Sequence, residues 1–103
     1  LRYSLDAAGE LKPDPDLMAW ARGMMKPSRS VASTLVGEST VSTVFLGYDA
    51  SFGLGRSPTL WETMVLGGRL DRRTWRCGGS REQAEAMHAA AAAEVARAER
   101  GGL

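Results

Sequence analysis

Between Ser30 and Leu66 apolar and polar side chains alternate with a period of two, and on either side of that stretch apolar residues recur at helical spacing. The alternation predicts strands. Val31, Ser33 and Leu35 point one way and Ala32, Thr34 and Val36 the other, before Gly37-Glu38-Ser39, which reads as a hairpin connection. Thr40 to Tyr48 follows, with Val41, Thr43 and Phe45 on one face and Ser42, Val44, Leu46 and Tyr48 on the other. A glycine-bearing loop, 49–58, leads to a strand from Thr59 to Leu66, where Trp61, Thr63 and Val65 oppose Leu60, Glu62, Met64 and Leu66. After the turn 67–72, Arg73 to Cys77 can return as a shorter strand. Neither face of the central strands is wholly polar.

The flanking segments carry helix signals. Asp14-Pro15-Asp16 predicts a start with Asp14 as cap and Pro15 in the first helical position, and Lys26-Pro27 predicts the stop. Leu17, Trp20, Ala21 and Met24 would form the apolar stripe of this Pro15 to Met25 helix. Ser80 and Gln83 form a capping box for a second helix, from Arg81 to about Arg100, whose inward stripe is Ala84, Met87, His88, Ala91, Val95 and Ala98. Leu1 to Pro13 reads as one edge strand or an arm, and 101–103 as a frayed end. The expected fold is α+β, a single domain over residues 1–103 with an antiparallel sheet of three or four strands, a short N-terminal helix and a long C-terminal one.

Composition narrows the class. An apolar share of 44% with a charged share of 24% suits a folded globular chain rather than a disordered one. Thirteen basic against twelve acidic residues leave a formal charge of +1, so nucleic acid or a membrane surface would need a local patch. No apolar run reaches the roughly 18 residues of a membrane helix, and the first residues lack the apolar segment of a signal peptide. The lone Cys77 excludes an intrachain disulfide, which fits a reducing compartment. These features predict a soluble cytoplasmic protein without a cofactor or membrane contact.

Two surfaces and four further residues carry candidate chemistry. The loop Gly47 to Pro58, with Asp49, Ser51, Phe52 and Arg56, offers amides and a cation to a small anionic ligand or nucleotide, although it lacks the Lys-Ser of a phosphate loop and precedes a strand. Arg72, Arg73, Trp75 and Arg76 combine charge with an aromatic platform, the pairing that holds a nucleic-acid backbone and stacks bases; it equally describes a solvated hairpin tip. Trp61 and Glu62 lie mid-strand, and a carboxylate there needs an arginine or amide partner if buried. Cys77 and His88 supply a thiol and a base but no orienting third group, so packing is the plainer reading of both. No catalytic or metal-ligating set emerges.

Val41-Ser42-Thr43-Val44-Phe45-Leu46-Gly47-Tyr48-Asp49 and Trp61-Glu62-Thr63-Met64-Val65-Leu66-Gly67-Gly68 resemble the motifs of a family of short phage and prophage proteins of GC-rich bacteria. The likeness continues more loosely through Trp75-Arg76, Ser80 to Ala84 and His88, over about half of the chain. Leu66 and Cys77 stand where that family suggests aromatic side chains, so surface roles resting on those rings do not carry over. The resemblance implies an accessory gene of a phage or integrated element and transfers no catalytic residue. The expectation is a non-enzymatic protein acting by binding, as a homo-oligomer or on a phage or host protein. A small decoration or joining protein of the virion is the alternative. The long helix should cover one sheet face, the short helix part of the other, leaving apolar surface for a second copy.

Overall fold

The computed structural model describes residues 2–26, 29–55 and 57–101. Leu1, Pro27, Ser28, Arg56, Gly102 and Leu103 lie outside the described residues, and with them the helix stop assigned to Pro27, the end at 102–103 and the loop candidate Arg56.

The chain opens with a hairpin, β1 (Tyr3–Leu5) and β2 (Leu11–Pro13), where the sequence pattern suggested one strand or an arm. Three-residue strands are too short to show a period. The turn declares itself instead: the Asp6 carboxylate accepts from the amides of Ala8 and Glu10 at 2.9 Å, and Gly9 takes a φ of +82°. Helix α1 (Leu17–Met24) then begins two residues later than expected. Its cap is Asp16, which accepts from the amides of Met18 and Ala19, rather than Asp14. The Asp14 carboxylate is occupied by the Ser4 hydroxyl, which lowers its pKa and ties the helix entry to β1.

The main sheet is an antiparallel meander in sequence order, β3 (Ser30–Val36), β4 (Ser39–Phe45), β5 (Trp61–Leu66) and β6 (Thr74–Cys77), and α2 (Arg81–Gly101) crosses one face of it. Gly37 has a φ of +58° at the first position of a two-residue connection, which gives the β3–β4 hairpin its turn without a Cβ penalty. The capping box forms as the sequence indicated, with the Gln83 amide donating to Ser80 Oγ and the Ser80 amide to Gln83 Oε1, each at 3.2 Å. α2 runs through Gly101, the last described residue.

Alternation assigns the faces. Val41, Thr43 and Phe45 of β4 pair with Val65, Thr63 and Trp61 of β5, and all six are buried beneath α2. Ala84, His88, Ala91 and Val95 meet them, as the helical stripe foretold. Two apolar clusters result, one around Val41, Val65, Ala91 and Val95, the other around Phe45, Leu60, Trp61 and Ala84. Tyr3, Leu5, Leu11 and Met24 pack against the second cluster. The N-terminal hairpin and α1 therefore cover the same face as α2, which overturns the expectation that the short helix would serve the opposite one. The reason is side-chain size: at the Phe45–Trp61 end the buried residue of α2 is Ala84, and Tyr3, Leu5, Leu11 and Met24 fill the space it leaves.

Along the strands themselves the opposite face has no covering helix or strand among the described residues, whereas Leu46 and Leu60, expected on it just beyond β4 and β5, are buried. Cross-strand pairing sets its side chains in three rows: Leu35, Thr40 and Leu66; Ser33, Ser42, Met64 and Thr74; Val44, Glu62 and Arg76.

Candidate binding surface

Asp49 organises the loop between β4 and β5. Its Oδ1 accepts from the Ser51 amide (2.9 Å), the Ser51 hydroxyl (2.6 Å) and the Thr59 amide (2.8 Å), and its Oδ2 from the Gly53 amide (3.0 Å). The Ser51 hydroxyl and these amides hold the carboxyl far below the usual carboxylate range. Asp49 and Ser51 are thus spent inside the loop. The amides that would cradle a phosphate already point at an anion, the loop's own. Among the described residues of the loop the large side chains presented outward are apolar: Phe52 is 82% and Leu54 92% exposed, with Phe52 held at a φ of +54°. A shallow depression lined by Tyr3, Tyr48, Asp49, Phe52 and Gly53 lies beside it.

The basic and aromatic residues of the β5–β6 hairpin do not form one platform. Strand alternation divides them. Arg73 lies over the Trp75 ring at 5.5 Å and pairs with Glu94 of α2 at 3.1 Å, while Trp75 packs on the Val41–Val65 cluster. Arg76 emerges on the other face and donates to Glu62 at 2.8 Å. Arg72, at a φ of +71°, points into solvent with Asp71 nearby. Each of the three arginines has a carboxylate within 4 Å and the aromatic ring is a wall of the core, so the arrangement that would stack bases is not assembled here.

Trp61, named as a binding candidate, is fully buried. Its indole donates to the Gly79 carbonyl at 3.0 Å and its ring packs at a tilt on Phe45, centroids 4.9 Å apart. It is a core residue and reaches no surface. Glu62 has the arginine partner its mid-strand position demanded, on the uncovered face.

His88 sits between the two apolar clusters. One ring nitrogen is 2.8 Å from Thr34 Oγ1 and the other 2.8 Å from Thr43 Oγ1, which in turn hydrogen-bonds Thr63 Oγ1. Burial lowers its pKa, and with both nitrogens held by threonine hydroxyls it is a satisfied core histidine. Cys77 packs on the Phe45–Trp61 cluster, where burial raises its thiol pKa, away from the thiolate form that nucleophilic work requires. Among the described residues no group of three or more His, Cys, Asp or Glu could hold a metal ion, and no helix is long and apolar enough to cross a membrane.

The sequence leads to the expectation of apolar surface left on the sheet face opposite the long helix, without singling out its residues. Leu35 is 75% and Leu66 50% exposed, with Val44 and Met64 half-buried between them. Its signal was present in the alternation, but a mixed apolar and polar face reads the same whether a helix covers it or not. No protein-family model, no characterised protein and no solved structure matches the chain.

Proposed function

We propose that this protein works by binding other protein chains, including copies of itself, and carries out no reaction of its own. One observation carries the reading: a four-stranded sheet whose inner face forms the core and whose outer face holds Leu35, Val44, Met64 and Leu66 with no helix or strand over them among the described residues. Its apolar side chains are interspersed with Thr40 and Ser42 and flanked by Ser33, Thr74 and the Glu62–Arg76 pair, a mixture as polar as the interfaces of partners that associate reversibly. The residues with chemical potential support the same reading, since His88, Cys77, Asp49 and Glu62 are each engaged in holding the fold. The resemblance to phage and prophage proteins supplies the setting, an accessory gene product acting on a phage or host protein.

Light scattering over a concentration series tests the self-association. Growth in mass above 11.0 kDa with concentration is the expected result. A particle that stays at the monomer mass up to high micromolar concentration removes the homo-oligomer from the proposal and leaves the face to a different protein.

A further inference from the structure

The outer edge of β3 is built to accept another strand. Among the described residues β3 pairs with no strand but β4. In a two-residue hairpin the residues flanking the turn exchange both backbone hydrogen bonds, so Val36 pairs that way with Ser39, and by alternation Thr34 with Val41 and Ala32 with Thr43. The Leu46 amide, which donates to the Leu60 carbonyl at 2.7 Å, confirms the phase: even-numbered residues of β4 bond toward β5, odd-numbered ones toward β3. Ser33 and Leu35 are therefore left with N–H and C=O groups directed away from the sheet.

Edges of this kind are normally blunted by charge, proline or a covering segment. From Ser30 to Val36 there is no charged residue and no proline, and the single irregularity, between Ser30 and Ala32, falls at the strand's start. Ser33, Thr34 and Leu35 are all exposed, so α2 does not overhang the edge. Glu94 fixes which flank of α2 faces β6 through its bond to Arg73. The flank toward β3 then carries Ala89, Ala92 and Ala96 along its middle, side chains too short to block a neighbour, with Glu85 and Glu99 at its two ends, the latter accepting from the Ser39 hydroxyl and the Arg69 amide beside Gly37.

We infer that two copies pair antiparallel through β3 across a two-fold axis at Thr34, joining their sheets into one of eight strands. The strand's own pattern favours a second copy as occupant. With the axis at Thr34, Ser33 lies opposite Leu35 of the partner strand and Leu35 opposite its Ser33, so the outward groups on each side satisfy one another as four hydrogen bonds with none left over. An uncharged strand meets itself without like-charge repulsion. The same register sets the two Leu35 side chains diagonally across the seam, within reach of each other, and makes the two outer faces continuous. This inference rests on the self-association proposed above and names the contact responsible.

Hydrogen exchange read against concentration tests it on the unaltered protein, with Ser33→Pro as the companion variant. Proline at an outward-facing amide removes a donor from the seam and none from the β3–β4 ladder. Support consists of Ser33 and Leu35 amides that become protected as the dimer forms, and a folded Ser33→Pro chain that stays monomeric while Met64→Glu, on the outer face, still dimerises. A dimer in which Met64→Glu dissociates the pair while the Ser33 and Leu35 amides exchange freely overturns the strand-edge contact and leaves self-association standing. A chain that is monomeric at every concentration overturns both. Should Ser33→Pro fail to fold, the amide protection of the unaltered protein decides alone.

Discussion

The two faces of the main sheet are made by the same strands, and every residue of β4 and β5 belongs to one or the other. On the inner face Val41, Phe45, Trp61 and Val65 are at most 2% exposed; on the outer face Leu66 is half exposed and Glu62 meets Arg76 at the surface. The difference is not one of hydrophobicity alone, because Val44, Met64 and Leu66 are as apolar as their inner counterparts. It lies in what the neighbouring elements can reach. The inner face has matched polar groups wherever it is polar, with Thr43, Thr63 and His88 bonded among themselves, and so tolerates complete burial. The outer face carries Ser33, Ser42, Thr40 and Thr74 without such a matched set, and a mixed surface of that kind suits contacts that form and part. One side of the sheet is a core, and the other is available for association.

The sharpest way to break this comparison is to truncate the inner face. Trp61→Ala removes a fully buried side chain, and with it the bond to the Gly79 carbonyl. A loss of about 3–5 kcal/mol is expected, a large part of the ~5–15 kcal/mol that a domain has in all. Chemical denaturation should show it as a much lower midpoint or as a chain already unfolded in water. Next in size is the tether of α2. Ser80→Ala deletes the N-cap and should cost about 0.5–2 kcal/mol, seen as a lower midpoint at unchanged slope.

How much of this was legible follows from which residues act locally. The capping box, the α2 stripe and the four strands of the main sheet depend on neighbours within a few positions, and the sequence pattern placed them to within a few residues. The α1 cap was misassigned because Asp14-Pro15-Asp16 offers two aspartates, and the choice between them is made by Ser4, ten residues away, which engages Asp14. The packing of α1 and the hairpin on the inner face was not legible for a similar reason: it depends on the unfilled end of a core that α2 alone does not cover. Among the candidate site residues, Asp49 and Ser51 looked like ligand groups because a loop's self-bonding amides are invisible in sequence. Trp61 looked accessible because an aromatic residue in a strand of mixed pattern can face either way. Glu62 behaved as its position required.

A third expectation concerns His88, the polar centre of the inner face. Unfolded, the ring takes up a proton with its ordinary pKa of 6.5; folded, burial holds the value lower. The unfolded chain therefore binds more protons between the two values, so stability is complete above about pH 6.5 and declines as pH falls through that point toward the folded value. The carboxylates with lowered pKa, Asp14, Asp49 and Glu99, lose their contribution only below their own ordinary values of 3.8 to 4.5, so the histidine's window stands apart. A urea midpoint that falls between pH 7.5 and 5.5 in the natural chain, and stays flat over that range in His88→Gln, is the expected pair of results. A flat profile in both would place His88 in a solvated site and undo the contrast drawn between the faces.

The smallest effect is expected on the outer face, and its smallness is the point. Leu66→Ser replaces a side chain that is 50% exposed in a single copy, and should change the stability of the dilute monomer by no more than about 0.5 kcal/mol. Glu62→Gln weakens a pair whose arginine side chain is half exposed, and solvent screening keeps its expected cost within ~0–1 kcal/mol. Both measurements need to be made at several protein concentrations, because an association partner stabilises the folded state by mass action. If Leu66→Ser is silent in dilute solution and grows more costly as concentration rises, the outer face is covered in the associated state. If it is silent throughout, the seam at β3 forms without drawing Leu66 into contact, and the outer face stays free for a different protein. A cost as large as that of Trp61→Ala at every concentration would mean that the face is already buried in the smallest species, and the division of the sheet into a core side and an associating side would fall.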